Sequence, residues 1–313
     1  MWNVRRRCLA SSAFLDPSQC QGSGTETVND MSGNHEGSAS NESTRAIDEA
    51  FRMELIFMAP LLMKFPKCYW IWKYRLWVLQ QAIKVLPAQL SREIWEEELG
   101  LVSKMLHRDQ RNFHAWGYRR HVVAQLESHV LQGRSMVEAE FDYTTKMVSS
   151  NLSNFSAWHN RSQLIPRKLN ETNADANARK SLLDQELSNV HEALNLSPED
   201  QSLWYYHQYL THAIATATGK GPIVRELSVA ERKNYLKNEQ EFLQDLLIDY
   251  HDVKWIYEAA VECILAADAL STPEEQELNG SFLAECFRNL KELDRNRRGR
   301  WEDIEGTLLS HVD

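Results

Sequence analysis

Arg75, Arg119 and Arg161 each stand three residues after a tryptophan, in the segments KCYWIWKYR, RNFHAWGYR and SNFSAWHNR. Guanidinium groups at one place in successive helices could form a ladder for phosphate. The planar, multi-donor head suits ion pairs with carboxylates on a neighbouring hairpin or a partner chain better, and that is the reading adopted. Two other basic groups stand apart. Lys67 lies five residues before Trp72, and His114 lies two before Trp116. Both fall at N-terminal ends of helices that begin at the motif, where free backbone N–H groups and the helix dipole favour an anion. A lysine ahead of a helix is more often a solvated charge, and a lone histidine a structural donor. The residue types by themselves assign neither a catalytic role. The run Arg295–Arg300 reads as a solvated turn.

Other constellations are missing from the sequence. Its eleven histidines include no His-Glu-x-x-His, and its five cysteines no Cys-x-x-Cys. It has neither a glycine-rich phosphate loop nor a nucleophile elbow. The chain does not look able to run a complete reaction alone, and neither a metal site nor a cofactor is expected in it.

The 313 residues carry a net charge of −9, which disfavours the phosphate backbone of nucleic acid as a partner. Cys8, Cys20, Cys68, Cys263 and Cys286 are odd in number and show no close spacing, so a reducing, cytoplasmic compartment fits better than a disulfide framework. No transmembrane segment is expected: the apolar stretch from Leu55 to Met63 is far short of the ~20 residues a bilayer needs.

The elements that must hold these residues come from a repeat. The three segments above are joined by weaker copies, DQSLWYYH ending at His207, DVKWIYE ending at Glu258, and a fragment from Met1 to Arg5. Aligned in this way, Trp2, Trp72, Trp116, Trp158, Trp204 and Trp255 are separated by 70, 44, 42, 46 and 51 residues. Each period holds one helix before the motif and one starting at it. Leu183, Leu187, Val190 and Leu194 form an apolar stripe on a helix of the first kind, stopped by Ser197-Pro198. Ser228 and Glu231 make a capping box ahead of another. Asn112 and Asn154 sit where a side chain would cap the motif helix. A tryptophan at one place in every hairpin can wedge between neighbours. The expected fold is all-α: a hairpin-repeat solenoid, an α–α superhelix in a crescent, with about five to six repeats. Residues 1–9 read as a fragment of the first repeat, 10–45 as a disordered, low-complexity insertion rich in Gly, Ser and Asn, and 46–313 as the helical repeat domain. Starting a repeat at its tryptophan suggests an N-terminal truncation or an incomplete gene model.

A period of 42–46 residues with Asn-Phe-x-x-Trp-x-x-Arg differs from the 34 of tetratricopeptide repeats. It resembles the repeat of protein prenyltransferase α subunits, from Ile47 onward. RNFHAWGYRR, SNFSAWHNRS, PKCYWIWKYRLW, KWIYEAAVECIL and LKELDRNRRGRWEDI look most like the Rab-specific, type II geranylgeranyltransferase, in its compact fungal-like form. The resemblance implies a heterodimer with a β subunit that carries the catalytic zinc. It also implies geranylgeranyl diphosphate as donor, and a Rab GTPase presented by Rab escort protein as acceptor. Lys67 and His114 match residues that stabilise the leaving diphosphate, and Tyr69 and Phe113 match neighbouring aromatics at the substrate. Farnesyl-type enzymes have Tyr where this chain has Phe113, so a hydroxyl contact is lost there. Two alternatives stay open: a non-catalytic helical adaptor, and the α subunit shared by farnesyltransferase and type I geranylgeranyltransferase.

Overall fold

Four residues separate the two helices of every hairpin. In a computed structural model of the chain, which describes residues 2–11, 36–216, 223–272 and 280–309, a short helix α1 (Trp2–Ser11) comes first. Five hairpins follow: α2 (Glu36–Lys64) with α3 (Tyr69–Val85), α4 (Ala88–Arg108) with α5 (Phe113–Leu126), α6 (Val137–Ser150) with α7 (Phe155–Glu171), α8 (Ala176–Leu196) with α9 (Gln201–Ala215), and α10 (Val229–Asp249) with α11 (Lys254–Asp268). Helices α12 (Gly280–Leu293) and α13 (Arg298–Leu309) close the described chain. No strand occurs among the described residues. The helices fall into two compact units, residues 1–136 and 137–313, each with its own packed interior.

Each four-residue linker is built in the same way. Its second carbonyl accepts the indole N–H of the tryptophan six residues later: Pro66 from Trp72 at 2.8 Å, Gln110 from Trp116 at 2.8 Å, Leu152 from Trp158 at 2.8 Å, and Pro198 from Trp204 at 2.6 Å. Its fourth residue is the N-cap. Asn112 and Asn154 accept the backbone N–H groups of Ala115 and Ala157, each at 3.1 Å, and Asp200 accepts that of Ser202 at 2.8 Å. The tryptophan therefore fixes the linker with its polar edge while its rings fill the core. Trp72, Trp116, Trp158 and Trp204 are all buried.

The fifth hairpin shifts the register expected above. Its N-cap is Val253, and the residue four later that bonds back to the linker is Tyr257, whose hydroxyl donates to the His251 carbonyl at 2.9 Å. Tyr257 is buried, whereas Trp255 is half-exposed on the first turn of α11. Trp255 is not the repeat's wedge. A tyrosine can replace the indole because it too has an apolar body with a donor at its tip.

A second rule riveting the hairpins was not legible in the motif. A buried glutamate on the first helix accepts a hydroxyl from its own hairpin's second helix, and a two-pronged guanidinium from the element before. Glu98 takes Arg75 at 2.8 and 2.5 Å and Tyr118 at 2.8 Å. Glu186 takes Arg161 at 2.7 and 2.6 Å and Tyr206 at 2.5 Å. Glu54 takes Arg5 at 2.7 and 2.6 Å and Tyr74 at 3.0 Å, which ties α1 to the first hairpin. Burial, reinforced by the neighbouring carboxylates, pushes the Tyr118 and Tyr206 hydroxyls well above the ordinary phenol range, so they remain donors. The arginine also bonds a hydroxyl five residues after its own hairpin's glutamate position: Arg119 to Ser103 at 2.8 Å, and Arg161 to Thr145 at 2.8 Å.

Two expectations shift at the ends. Helix α2 begins at Glu36 and α1 ends at Ser11, so residues 36–45, and 10 and 11, are helical rather than disordered. Polar residues dominate this first stretch, and they do not bar a helix whose later turns are anchored in the core by Phe51, Leu55, Met58 and Leu62. The rest of that expected insertion, 12–35, lies outside the described residues. The basic run near the C-terminus is not merely solvated. Arg297 donates to Asp294 at 2.5 Å and to Glu258 at 2.8 Å, and Lys254 reaches Asp294 at 3.0 Å beside the buried Trp301.

Candidate functional site

Lys67 is the third residue of the first linker, between the stapled carbonyl of Pro66 and the N-cap Cys68. The same Pro66 carbonyl accepts a second bond from the Asn112 amide at 3.3 Å. Asn112 caps α5, and Phe113 and His114 are the first two residues of that helix. One carbonyl thus holds the Lys67 turn and the start of the His114 helix together, and α3 and α5 pack against each other along the same unit. The two N-termini that Lys67 and His114 flank belong to consecutive hairpins.

Solvent reaches this edge. Lys67 is exposed and has no hydrogen-bonded or ionic partner among the described residues. Phe113 is 76% exposed, an unusual amount of aromatic surface left in water. Tyr69 and Trp70 are also exposed, with ring centroids 4.7 Å apart. The Lys73 ammonium sits over both rings, 5.4 Å from Tyr69 and 5.9 Å from Trp70. His114 is half-buried, its ring edge-on to Phe113 at 5.7 Å. The arrangement combines two helix N-termini linked through Pro66 and Asn112, an unpartnered lysine and exposed aromatic rings. It suits an amphiphilic anion, or a partner surface that delivers one.

Arg75, Arg119 and Arg161 are elsewhere. All three are buried, Arg75 and Arg161 in the rivets described above and Arg119 against Ser103, so they cannot form an exposed phosphate ladder. Sequence reasoning missed Arg111, the exposed residue that occupies in the second linker the place Lys67 holds in the first. Counting back from the tryptophan would have found it. No helix among the described residues is long and apolar enough to cross a membrane.

Comparison with known proteins gives this architecture its context. The model for the protein prenyltransferase alpha subunit repeat matches residues 51–82, 95–126, 137–167 and 183–214, which are the first four hairpins. The Saccharomyces cerevisiae geranylgeranyl transferase type-2 subunit alpha is 36% identical over 199 residues, 64% of this chain and 55% of that protein. Its Dictyostelium discoideum namesake is 30% identical over 259 residues, 82% of this chain and 70% of that protein. The chain thus spans little more than half the length of the yeast relative. Among solved structures, a chain of Candida albicans protein geranylgeranyltransferase-I complexed with GGPP superposes with a TM-score of 0.54 at 17% identity, covering 96% of this chain and 81% of that one, a likeness of fold. Four consecutive repeats and a relative matched over most of its length place this chain in the family of protein prenyltransferase alpha subunits, among those of geranylgeranyl transferase type-2.

Proposed function

We propose that this chain is the α subunit of a heterodimeric Rab geranylgeranyltransferase acting in the cytoplasm. It would support transfer of a geranylgeranyl group from geranylgeranyl diphosphate to C-terminal cysteines of Rab GTPases presented by Rab escort protein. The observation that carries the reading is the placement of Lys67 and His114 at the N-termini of consecutive hairpin helices, on an exposed aromatic edge, in a chain whose relatives bear the type-2 name. In this reaction a cysteine sulfur attacks carbon 1 of the isoprenoid, the C–O bond breaks, and diphosphate leaves with increased negative charge. The Lys67 ammonium and the His114 imidazole N–H would stabilise that developing charge. Lys67 can do so without first breaking an ion pair. Tyr69 and Phe113 flank the same edge and would line the substrate. Zinc, which belongs to the β subunit in this reading, supplies the substrate sulfur as a thiolate.

Co-expression with a β subunit, followed by transfer of labelled isoprenoid to a Rab protein with escort protein present, tests the proposal. Heterodimer formation and escort-dependent transfer are expected. Absence of both would leave a helical adaptor as the better reading. Transfer to a CaaX-type cysteine without escort protein would instead assign the chain to the farnesyl and type I enzymes.

A further inference from the structure

The rivet between the fourth and fifth hairpins breaks the rule seen at Glu54, Glu98 and Glu186. Where Arg119 and Arg161 stand three residues after the tryptophan, the fourth hairpin has His207. Where Ser103 and Thr145 supply the accompanying hydroxyl, it has His191. Only the glutamate, Glu239 on α10, is kept. Both imidazoles turn their Nε2 atoms onto one carboxylate oxygen: His191 Nε2 and His207 Nε2 each lie 2.8 Å from Glu239 Oε2. The three donor atoms lie within 4.8 Å of one another, the one such group of histidine, cysteine or acidic residues among those described.

The paired replacement changes the chemistry available. An arginine carries only donors and cannot ligate a cation, and a serine or threonine hydroxyl is a poor ligand for a transition metal. Two imidazoles and a carboxylate are a ligand set that holds zinc in enzymes, leaving a fourth position for water. Here the three come from three helices, α8, α9 and α10, each locked by packing. The His191 ring stacks on Phe242 with centroids 3.9 Å apart, and His207 meets Trp204 edge-on at 5.7 Å. His207 and Glu239 are buried, while His191 is a quarter exposed and provides a route from solvent. We propose that His191, His207 and Glu239 form a binding site for a divalent transition-metal ion of the zinc class, separate from the Lys67–His114 edge and independent of the prenyltransferase reading.

Tetrahedral zinc spaces its ligands about 3.3 Å apart, so the two 2.8 Å contacts must open by roughly half an ångström on loading. Each Nε2 must also give up the proton it donates to Glu239, to its own Nδ1 or to water. The sequence gives little warning of this site, because the ligands are 16, 32 and 48 residues apart and match no local motif.

Cobalt(II) tests the site, since a four- or five-coordinate ion absorbs in the visible. The full chain, stripped with chelator and verified helical by circular dichroism, is expected to take up one equivalent of Co²⁺ with such a spectrum, to lose it to Zn²⁺, and to melt a few degrees higher with Zn²⁺ bound. The double variant His191→Thr/His207→Arg rebuilds the arginine–hydroxyl arrangement of Arg161 and Thr145, and is expected to fold and bind no ion there. His191→Gln serves the same comparison should the double variant misfold. In heterodimers with a β subunit, wild type is expected to hold one metal equivalent more than the variant by elemental analysis. No Co²⁺ uptake by the wild-type chain, or uptake unchanged in the variants, overturns the proposal.

Discussion

Arg75 and Glu98 meet as a two-pronged ion pair, Nε to Oε1 at 2.8 Å and Nη2 to Oε2 at 2.5 Å, with both side chains buried between one hairpin and the next. Replacing Glu98 by Gln leaves the Arg75 charge without a counter-ion inside the protein. A loss of about 3–5 kcal/mol is expected in urea unfolding. Arg75→Met combined with Glu98→Leu removes the charge problem and should cost far less than the two single changes added together. Additive losses would show that the rivet does not act as a unit.

Tyr257 and Trp255 provide a test of register. Tyr257→Phe removes only the hydroxyl that reaches the His251 carbonyl, and should cost about 1 kcal/mol. Trp255 lies at the surface beneath Lys254 and near Tyr205. Its replacement by Ala is expected to cost less than Tyr257→Ala, which removes a buried ring worth about 3–5 kcal/mol. The reverse order in denaturant melts would restore Trp255 as the wedge.

Lys67→Ala is expected to slow geranylgeranyl transfer by about tenfold or more, with the heterodimer intact on gel filtration. Removing a pre-organised donor from an enclosed site typically costs about 10²–10³ in rate, and Lys67, exposed and unpartnered in this chain, is expected at or below the lower end. His114→Ala should act in the same direction. Because the stabilised charge develops only as the C–O bond breaks, the loss should appear in kcat more than in KM. Wild-type rates for Lys67→Ala would remove this residue from the reaction.

Asp294 carries a pH dependence. Burial pushes its carboxyl up, but hydrogen bonds from Lys254 and Arg297 outweigh this and hold it below the ordinary aspartate value of 3.8. A carboxylate depressed in the folded state adds stability above its unfolded value, and that stability is lost as pH falls through the folded one. The junction of α11, α12 and α13 should therefore loosen as pH drops below about 4, monitored by Trp301 fluorescence. Asp294→Asn should flatten that acid limb. An acid transition of the same depth in the variant would assign the effect to other carboxylates.

Legibility followed the distance over which each signal acts. Helix positions could be read because capping asparagines and periodic apolar residues act within a few residues, as at Asn112 and along Leu183 to Leu194. The fifth hairpin was misread because Val253 caps without a side-chain bond and Tyr257 stands in for tryptophan, leaving Trp255 as a decoy two residues early. A signal was present: the other N-caps lie four residues before their wedge. The buried glutamates went unseen because their partners lie 20 to 49 residues away, although Glu54, Glu98 and Glu186 each precede their tyrosine by the same 20. Lys67 and His114 were named by resemblance alone. Nothing local marks an exposed lysine as different from any other.

The four-residue linkers have a consequence for how such a scaffold can change. Their second position is committed to the staple and their fourth to the cap, while the third serves neither and is a slot open to change, even where, as at Ser153, the side chain has found a bond to Asp200. This chain fills the slot with Lys67 and Arg111 in the first unit, then Ser153, Glu199 and Asp252 in the second. One backbone template, written five times, thus passes from cationic to anionic at a single address. The charge presented at that address changes sign without any alteration of fold, so recoding it would change what the edge attracts.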